Sequence, residues 1–293
     1  MAPAQMLSTD GSWSGAQLTH RGDWTEDGYE DLVARHADGT VRLYSNDGLG
    51  QVSAVTRKSV SVFEDPETGV PTDISKARQI VSLGDLSPGT DGSTPDFMAV
   101  IGDQLWFLPG YTGGTLESGY PIGDSGWANK TLVAPGDMDG DGLTDLLARD
   151  TSNGQVWLYR GKALDMDLES EPGTDPASLG DAANRVQFAT GWTVAARPLI
   201  TAPGDVNGDG VPDLWSTTAS ATAGLEFLPG RGRGVGAAVV VGHRGVAGGQ
   251  GHRLTYGSTR LGRGPDSVRG PAGVRLRGVR GCSLLACGAL VGG

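Results

Sequence analysis

Cysteine is missing from the first 281 residues of this 293-residue chain; its two cysteines, Cys282 and Cys287, stand near the end. A disulfide framework is therefore not what holds the body of the protein together, and an isolated Cys-x4-Cys pair is no zinc site. Histidine is scarce, at four residues, and aromatics make up only 6%. No apolar run approaches the roughly 20 residues a membrane helix needs; the longest, 282–291, falls well short. No insertion into a membrane is expected. Met1-Ala2-Pro3-Ala4-Gln5 offers neither a charged n-region nor an apolar h-region, so no signal peptide is visible. Glycine motifs of the Walker or dinucleotide-binding kind are absent, as is a convincing long amphipathic helix.

Charge is present but unevenly spread. The whole chain carries 23 basic and 34 acidic residues, a net of −11. From Arg231 onward there are ten Arg, no Lys and one acid, with 18 glycines, which leaves residues 1–230 at −20. So acidic a body repels nucleic acid and anionic lipid. The basic tail has a single aromatic residue, Tyr256, too little stacking surface for an RNA-binding segment. It reads as a disordered or out-of-frame stretch over 243–293, with the folded domain confined to 1–242.

The body is dominated by one repeated acidic loop. Asp137-Met138-Asp139-Gly140-Asp141-Gly142-Leu143-Thr144-Asp145 is the fullest copy, Asp205-Val206-Asn207-Gly208-Asp209-Gly210-Val211-Pro212-Asp213 the second, and Asp23-Trp24-Thr25-Glu26-Asp27-Gly28-Tyr29-Glu30-Asp31 a looser third. Oxygen-bearing side chains at positions 1, 3, 5 and 9, a glycine at 6 and a backbone carbonyl at 7 make a cage for a hard cation such as Ca2+. The expected ligands are Asp137, Asp139, Asp141, Leu143 and Asp145; Asp205, Asn207, Asp209, Val211 and Asp213; and Asp23, Thr25, Asp27, Tyr29 and Asp31. Each close pair of carboxylates costs about 3–4 kcal/mol at an effective dielectric near 20, which a bound cation offsets. Leu143 is expected to bury its side chain and tie the loop to the core. An EF-hand is excluded, because position 12 is Ala148 or Ser216 rather than Glu and the flanks read as strands.

The surroundings of the loop repeat as well. A Trp step (Ser12-Trp13, Gly126-Trp127, Gly191-Trp192) precedes it, a short apolar strand follows, and a Gly-containing turn leads to a second alternating strand such as Gln155-Val156-Trp157-Leu158-Tyr159. A degenerate unit begins at Asp85, where Ser87-Pro88-Gly89-Thr90 breaks the ligand spacing but Phe97-Met98-Ala99-Val100 and Leu105-Trp106-Phe107-Leu108-Pro109-Gly110 keep the strands. First loop residues fall at Asp23, Asp85, Asp137 and Asp205, a pitch of 62, 52 and 68 residues. Short strands at this pitch predict an all-β β-propeller of about four units, as a whole or a partial ring. Residues 64–77 and 163–183 read as long binding or mobile loops between strands.

The stretch Pro135-Gly136-Asp137-Met138-Asp139-Gly140-Asp141-Gly142-Leu143-Thr144-Asp145-Leu146-Leu147-Ala148-Arg149 resembles the FG-GAP repeat, the blade of integrin-α-type and VCBS-like calcium-binding propellers, in particular the bacterial secreted kind. The resemblance spans about residues 10–242 and implies Ca2+ at the loops, an extracellular or cell-surface location, and binding or adhesion rather than catalysis. The expected partner is a protein or glycan. The alternative it leaves is an accessory domain of a secreted hydrolase whose catalytic part lies elsewhere. Catalytic patterns within the chain do not survive scrutiny. Gly123-Asp124-Ser125-Gly126 sits where the repeat places its Trp step, with no local catalytic context linking His20 or His36, both expected at the surface, to Ser125. Arg21-Gly22-Asp23 spells an adhesion tripeptide, but its Asp opens a metal loop.

Overall fold

A computed structural model describes residues 11–20, 22–46, 48, 58–86, 94–164, 173–219, 224–231 and 239–241. The chain divides into a unit over residues 1–245 and a second over 246–293. The second unit, and with it the reading of the tail, lies outside the described residues, as do Arg21 and most of the degenerate loop after Asp85.

Among the described residues, every regular element longer than four residues is a strand. The first blade is the meander β1 (Gln17–Thr19), β2 (Leu32–Arg35), β3 (Val41–Tyr44) and β4 (Lys58–Ser59). After β5 (Ser61–Val62) comes the second blade, from β6 (Ala77–Gly84), β7 (Asp96–Ile101) and β8 (Gln104–Leu108). It is interrupted by the hairpin β9 (Gly110–Tyr111) and β10 (Thr115–Leu116) and completed by β11 (Tyr120–Gly123). The third blade is β12 (Lys130–Gly136), β13 (Asp145–Asp150), β14 (Val156–Tyr159) and β15 (Arg185–Ala189); the fourth is β16 (Ile200–Gly204), β17 (Asp213–Thr217), β18 (Leu225–Leu228) and β19 (Val239–Val241). These are the four expected units, each a four-stranded antiparallel sheet. A fifth, short blade was not expected: β5 pairs in parallel with β10, which pairs with β9. Two-residue strands joined across more than 50 positions carry no local pattern to read. Among the described residues, the first unit is an all-β, five-bladed propeller arrangement. Among the described residues no helix is long and apolar enough to cross a membrane.

Alternation along each strand explains how the blades stack. In β13, Leu146 and Ala148 point back into an apolar cluster shared with Met98, Val100 and Leu105 of the second blade, while Leu147 points forward into one shared with Leu214 and Leu228 of the fourth. The joint between the first and second blades repeats the design, with Val33, Val41 and Leu43 packed on Ile80, Phe97 and Ala99. The innermost strands β1, β6, β12 and β16 all contribute to one central cavity of about 130 Å³, through residues such as Thr19, Ser82, Val133 and Thr201.

Two expectations about surface segments are corrected. Within the excursion that follows β14, residues 176–184 form two short 3-10 turns, each capped by an aspartate side chain (Asp175, Asp181), and Leu179 is fully buried in the joint between the second and third blades. His36 is buried too. Its Nδ1 lies 2.9 Å from the Ser12 carbonyl oxygen, so that nitrogen carries the proton, and Nε2 accepts from the Tyr44 hydroxyl at 2.8 Å. His20 is exposed, as expected.

Candidate metal centre

Each acidic loop is entered through a glycine in the left-handed region, Gly136 at φ +92° and Gly204 at +96° in the two full copies. The first aspartate then winds the loop around itself. Asp137 Oδ1 accepts the N–H groups of Gly140 (2.7 Å) and Asp141 (3.1 Å), and Oδ2 that of Gly142 (2.8 Å). Asp141 Oδ1 accepts from Leu143 at 3.0 Å. In the second copy Asp205 and Asp209 make the same bonds to Gly208, Asp209, Gly210 and Val211 at 2.7–3.1 Å. The looser copy keeps the pattern in part, with Asp23 accepting from Asp27 and Gly28 and Asp27 from Tyr29. Position 4 is Gly140 or Gly208 at positive φ in the full copies, but Glu26, at φ +60°, is the only described non-glycine residue there. A side chain in that region costs about 1–2 kcal/mol, against which glycine loses about 0.5–1 kcal/mol of chain entropy. Glu26→Gly is therefore expected to raise stability by about 0.5–1 kcal/mol, read as an increase in denaturant midpoint without a change in slope. A lower midpoint would show that the Glu26 side chain contributes something that outweighs its backbone.

The ninth residue does something the ligand pattern does not show. Asp145 is completely buried, with Oδ2 accepting from Met138 N (2.8 Å) and Asp139 N (3.2 Å) and Oδ1 from Gly161 N (2.9 Å). It braces the start of the loop to the chain leaving the third strand. Asp213 repeats this with Val206, Asn207 and Gly230 at 2.8, 3.2 and 2.8 Å, and Asp31 with Trp24, Thr25 and Asn46 at 2.9, 2.9 and 3.1 Å. In the degenerate unit Asp96 still accepts from Leu86 (3.0 Å) and Gly110 (2.9 Å). The receiving glycine is sterically required: a Cβ on Gly161 would lie 2.6 Å from the Thr144 carbonyl oxygen, and one on Gly110 or Gly230 would run into that of Pro95 or Pro212. The sequence signal was the repeated Leu-Pro-Gly at 108–110 and 228–230 and Tyr-Arg-Gly at 159–161, visible as a match between units but without an evident role.

Nor does Leu143 anchor its loop. It is only half-buried, whereas Met138 at position 2 is fully buried, as are its counterparts Trp24 and Leu86. The core reaches the loop through position 2.

One loop brings its acids together. Carboxylate oxygens of Asp137, Asp139 and Asp145 lie within 4.8 Å of one another, the only such acidic triad among the described residues. Asp139 is the telling member. Its side chain is 6% exposed, Oδ1 is buried without a hydrogen-bond partner, and Oδ2 has Arg160 Nη1 at 4.0 Å. A buried anionic oxygen lacking a donor is what a cation would satisfy. The electrostatics agree: burial, reinforced by the charge of Asp141, raises the Asp139 carboxyl above its ordinary range, and burial pushes Asp145 up to about 7. Asp141 remains exposed at the rim. In the 205–213 loop Asn207 stands in the place of Asp139 and donates its amide to Asp209 Oδ2 at 2.9 Å, so no orphan remains there. That loop's first carboxyl, Asp205, is held below its usual range, chiefly by the Gly210 N–H. In the 23–31 loop Thr25 is exposed, Tyr29 is half exposed, and Asp23, Asp27 and Asp31 do not form such a triad. The residues of 137–145 thus fit a cation best. For the adhesion tripeptide, Asp23 is engaged by the Asp27 and Gly28 N–H groups.

Residues 137–216 match the FG-GAP-like repeat family. No curated protein matches the chain. Among solved structures, a lectin of Agrocybe aegerita, described by its specific recognition of non-reducing terminal N-acetylglucosamine, is similar at 19% identity with a TM-score of 0.42, over 75% of this chain and 50% of that one. The chain therefore spans half the length of that lectin chain.

Proposed function

We propose that this chain, an FG-GAP-like propeller, is a non-catalytic binding module stabilised by calcium, working outside the cell or at its surface on a protein or glycan ligand. The observation that carries the reading is the Asp137–Asp139–Asp145 triad with its unsatisfied, buried Asp139 oxygen. Calcium–oxygen distances of about 2.3–2.6 Å allow two ligands of one ion to stand up to about 5 Å apart, which accommodates the triad as it stands. Extracellular calcium modules work at about 10⁻⁴–10⁻³ M, a concentration range met outside cells. A net charge of −20 over residues 1–230 argues against polyanionic partners.

The test is calorimetric titration with calcium together with thermal unfolding of the wild type and Asp141→Ala, in millimolar calcium and in chelator. Asp141 is exposed, and its side chain accepts the Leu143 N–H. In calcium the variant is expected to lose about 1–2 kcal/mol of ligand-linked stability, or roughly 2–6 °C in Tm. In chelator the two proteins should melt within about a degree of each other. Equal losses in both conditions, or no calcium uptake by the wild type, would remove the metal from the proposal.

A further inference from the structure

We propose that the cavity in the joint between the second and third blades is a binding site for the carboxylate of an acidic sugar. This deepens the glycan reading above and rests on it for the class of ligand, but not on the metal. The cavity measures about 370 Å³, the size of a small-ligand pocket. Its walls are the end of β11 with the loop that follows, the start of β12, and the segment 180–185 that leads into β15. That segment is fixed from behind. Leu179 is buried in the joint, and a Cβ on Gly180 would lie 2.2 Å from the Ile122 carbonyl oxygen of β11. Two cations line the cavity, Lys130 and Arg185, both half-buried. Lys130 Nζ lies 5.4 Å from the centre of the Trp127 ring. The Arg185 guanidinium lies 4.3 Å from that of Trp157 and donates to the Tyr159 hydroxyl at 3.0 Å. Among the described residues neither cation forms an ion pair with a carboxylate. Burial holds the Lys130 ammonium below its ordinary range; Asp150 and Asp103 oppose this from beyond ion-pair distance, and the charge of Arg185 reinforces it. Two half-buried like charges beside one cavity are what an anion would satisfy.

The next joint shows which anion. There Arg197 lies over Trp192 at 4.9 Å, as Lys130 lies over Trp127, and it pairs with the carboxylate of Glu226. Glu226 stands opposite Ser216, which stands opposite Ile200. At the same register positions the third blade has Trp157 opposite Ala148 and Ala148 opposite Leu132. The chain thus supplies its own carboxylate where the third and fourth blades meet. Where the second and third meet it puts Trp157 in that place, which offers Arg185 a ring face and no countercharge. The rest of the lining says what carries the missing carboxylate. Asp124 and Asp181 are exposed acceptors that suit the hydroxyl donors of a sugar ring, and Ser125 beside them can donate or accept. An acidic peptide brings carboxylates but few hydroxyls to meet two aspartates. Those aspartates, on a body with a net charge of −20 over residues 1–230, also repel a ligand with several negative charges. One carboxylate on a hydroxyl-bearing ring satisfies both halves of the lining.

The experiment is NMR titration of the full chain with methyl glucuronide, methyl galacturonide and a methyl sialoside, against methyl glucoside and a glutamate-rich peptide. The proteins are the wild type, Lys130→Met, Trp157→Gln and Trp157→Glu. At least one acidic sugar is expected to bind about tenfold or more tightly than the glucoside and the peptide. Lys130→Met should weaken that binding by about tenfold. Trp157→Glu gives Arg185 an internal partner, as Glu226 is to Arg197, and should abolish the preference for acid. Trp157→Gln, of the same size without the charge, should keep it; melting and far-UV dichroism check that both variants fold. If they do not, Lys130→Met decides, and unchanged binding in it overturns the proposal. So do acidic sugars that bind no better than the glucoside, tighter binding of the peptide, or equal losses in the two Trp157 variants. A neutral glycan or a protein that binds while every acidic sugar fails would remove this site and leave the binding-module reading in place.

Discussion

Asp96→Ala is expected to destabilise the protein by about 3–4 kcal/mol, and by the same amount with calcium and with chelator. Asp96 is 5% exposed and accepts N–H groups from Leu86 and Gly110, both buried. Truncation strands two buried donors at about 1–3 kcal/mol each and leaves a small void beside Leu86, which reaches into the joint with the third blade. Water entering the void would recover part of this, which sets the figure below the sum. The second blade is the place to ask the question, because its loop has lost the ligand spacing: Ser87-Pro88-Gly89-Thr90 stands where the other loops carry their acids. A calcium-independent loss at Asp96 would therefore establish the ninth-position aspartate as a structural brace common to all four full blades, with metal binding layered on it in the third. Asp96→Asn, which keeps one acceptor oxygen, should cost roughly half as much. Urea midpoints of the three proteins in both buffers provide the measurement. A loss below about 1 kcal/mol, or one that appears only in calcium, would show that the brace is not carrying the blade.

The brace also marks how far the sequence could be read. The four-unit pitch, the strands after each loop and the acids that come together in the fullest loop were all legible, because they rest on local signals: alternation, Asn-Gly and Asp-Gly turns, and acids at fixed spacing. Partnerships between distant positions were not. Asp145 looks like any other ligand until Gly161 is seen to donate to it from 16 residues away. Position 7 appeared to be the apolar anchor, yet position 2 is, because the buried side of the loop is decided by which blade follows it. Met138 packs against the fourth blade, whereas Val206 is 50% exposed. His36 looked like a surface residue because the carbonyl of Ser12, in the 3-10 turn 11–13, and the hydroxyl of Tyr44, at the end of β3, which make its burial tolerable, come from separate elements. The three loops, ranked from the sequence by counting acids, also differ in how their third position is placed. At position 3, Asp139 is buried with an unsatisfied oxygen, Asn207 satisfies itself on Asp209, and Thr25 is exposed. Arg160, which stands in the third blade where Pro109 and Pro229 stand in the second and fourth, adds a cation 4.0 Å from Asp139 that no repeat pattern announces.

In chelator, stability is expected to fall as pH rises from about 4 to about 7, and in saturating calcium to rise over the same interval. Burial pushes the Asp145 carboxyl up to about 7 and raises Asp139 and Asp31 as well, while in the unfolded chain such groups titrate near 3.9. Between those values the native state holds protons that the unfolded state has released, so unfolding is favoured as pH increases. The slope approaches 1.4 kcal/mol per unit for one fully linked proton, and the total for Asp145 is at most about 4 kcal/mol. The N–H donors of Gly161 and Met138 favour the anion and already temper that value. Asp38, Asp65, Asp73, Asp103, Asp150 and Asp205 act in a different window: hydrogen bonds hold these carboxyls below their usual range, so their contribution is present above about pH 4 and is lost only as pH falls further. Without metal the optimum should therefore lie near pH 4–5. Calcium reverses the trend because it occupies the place of the proton, binding the ionised triad of the native state only, so that binding releases protons and strengthens with pH. Denaturant midpoints at pH 5 and pH 7.5, with calcium and with chelator, give four numbers that decide the matter. Crossing curves are the expected result. A chelator curve that is flat or rising between these pH values would mean that Asp145 stays ionised in the native state, its three backbone donors outweighing burial, and that the 137–145 loop is wound tightly enough to hold its charge without an ion.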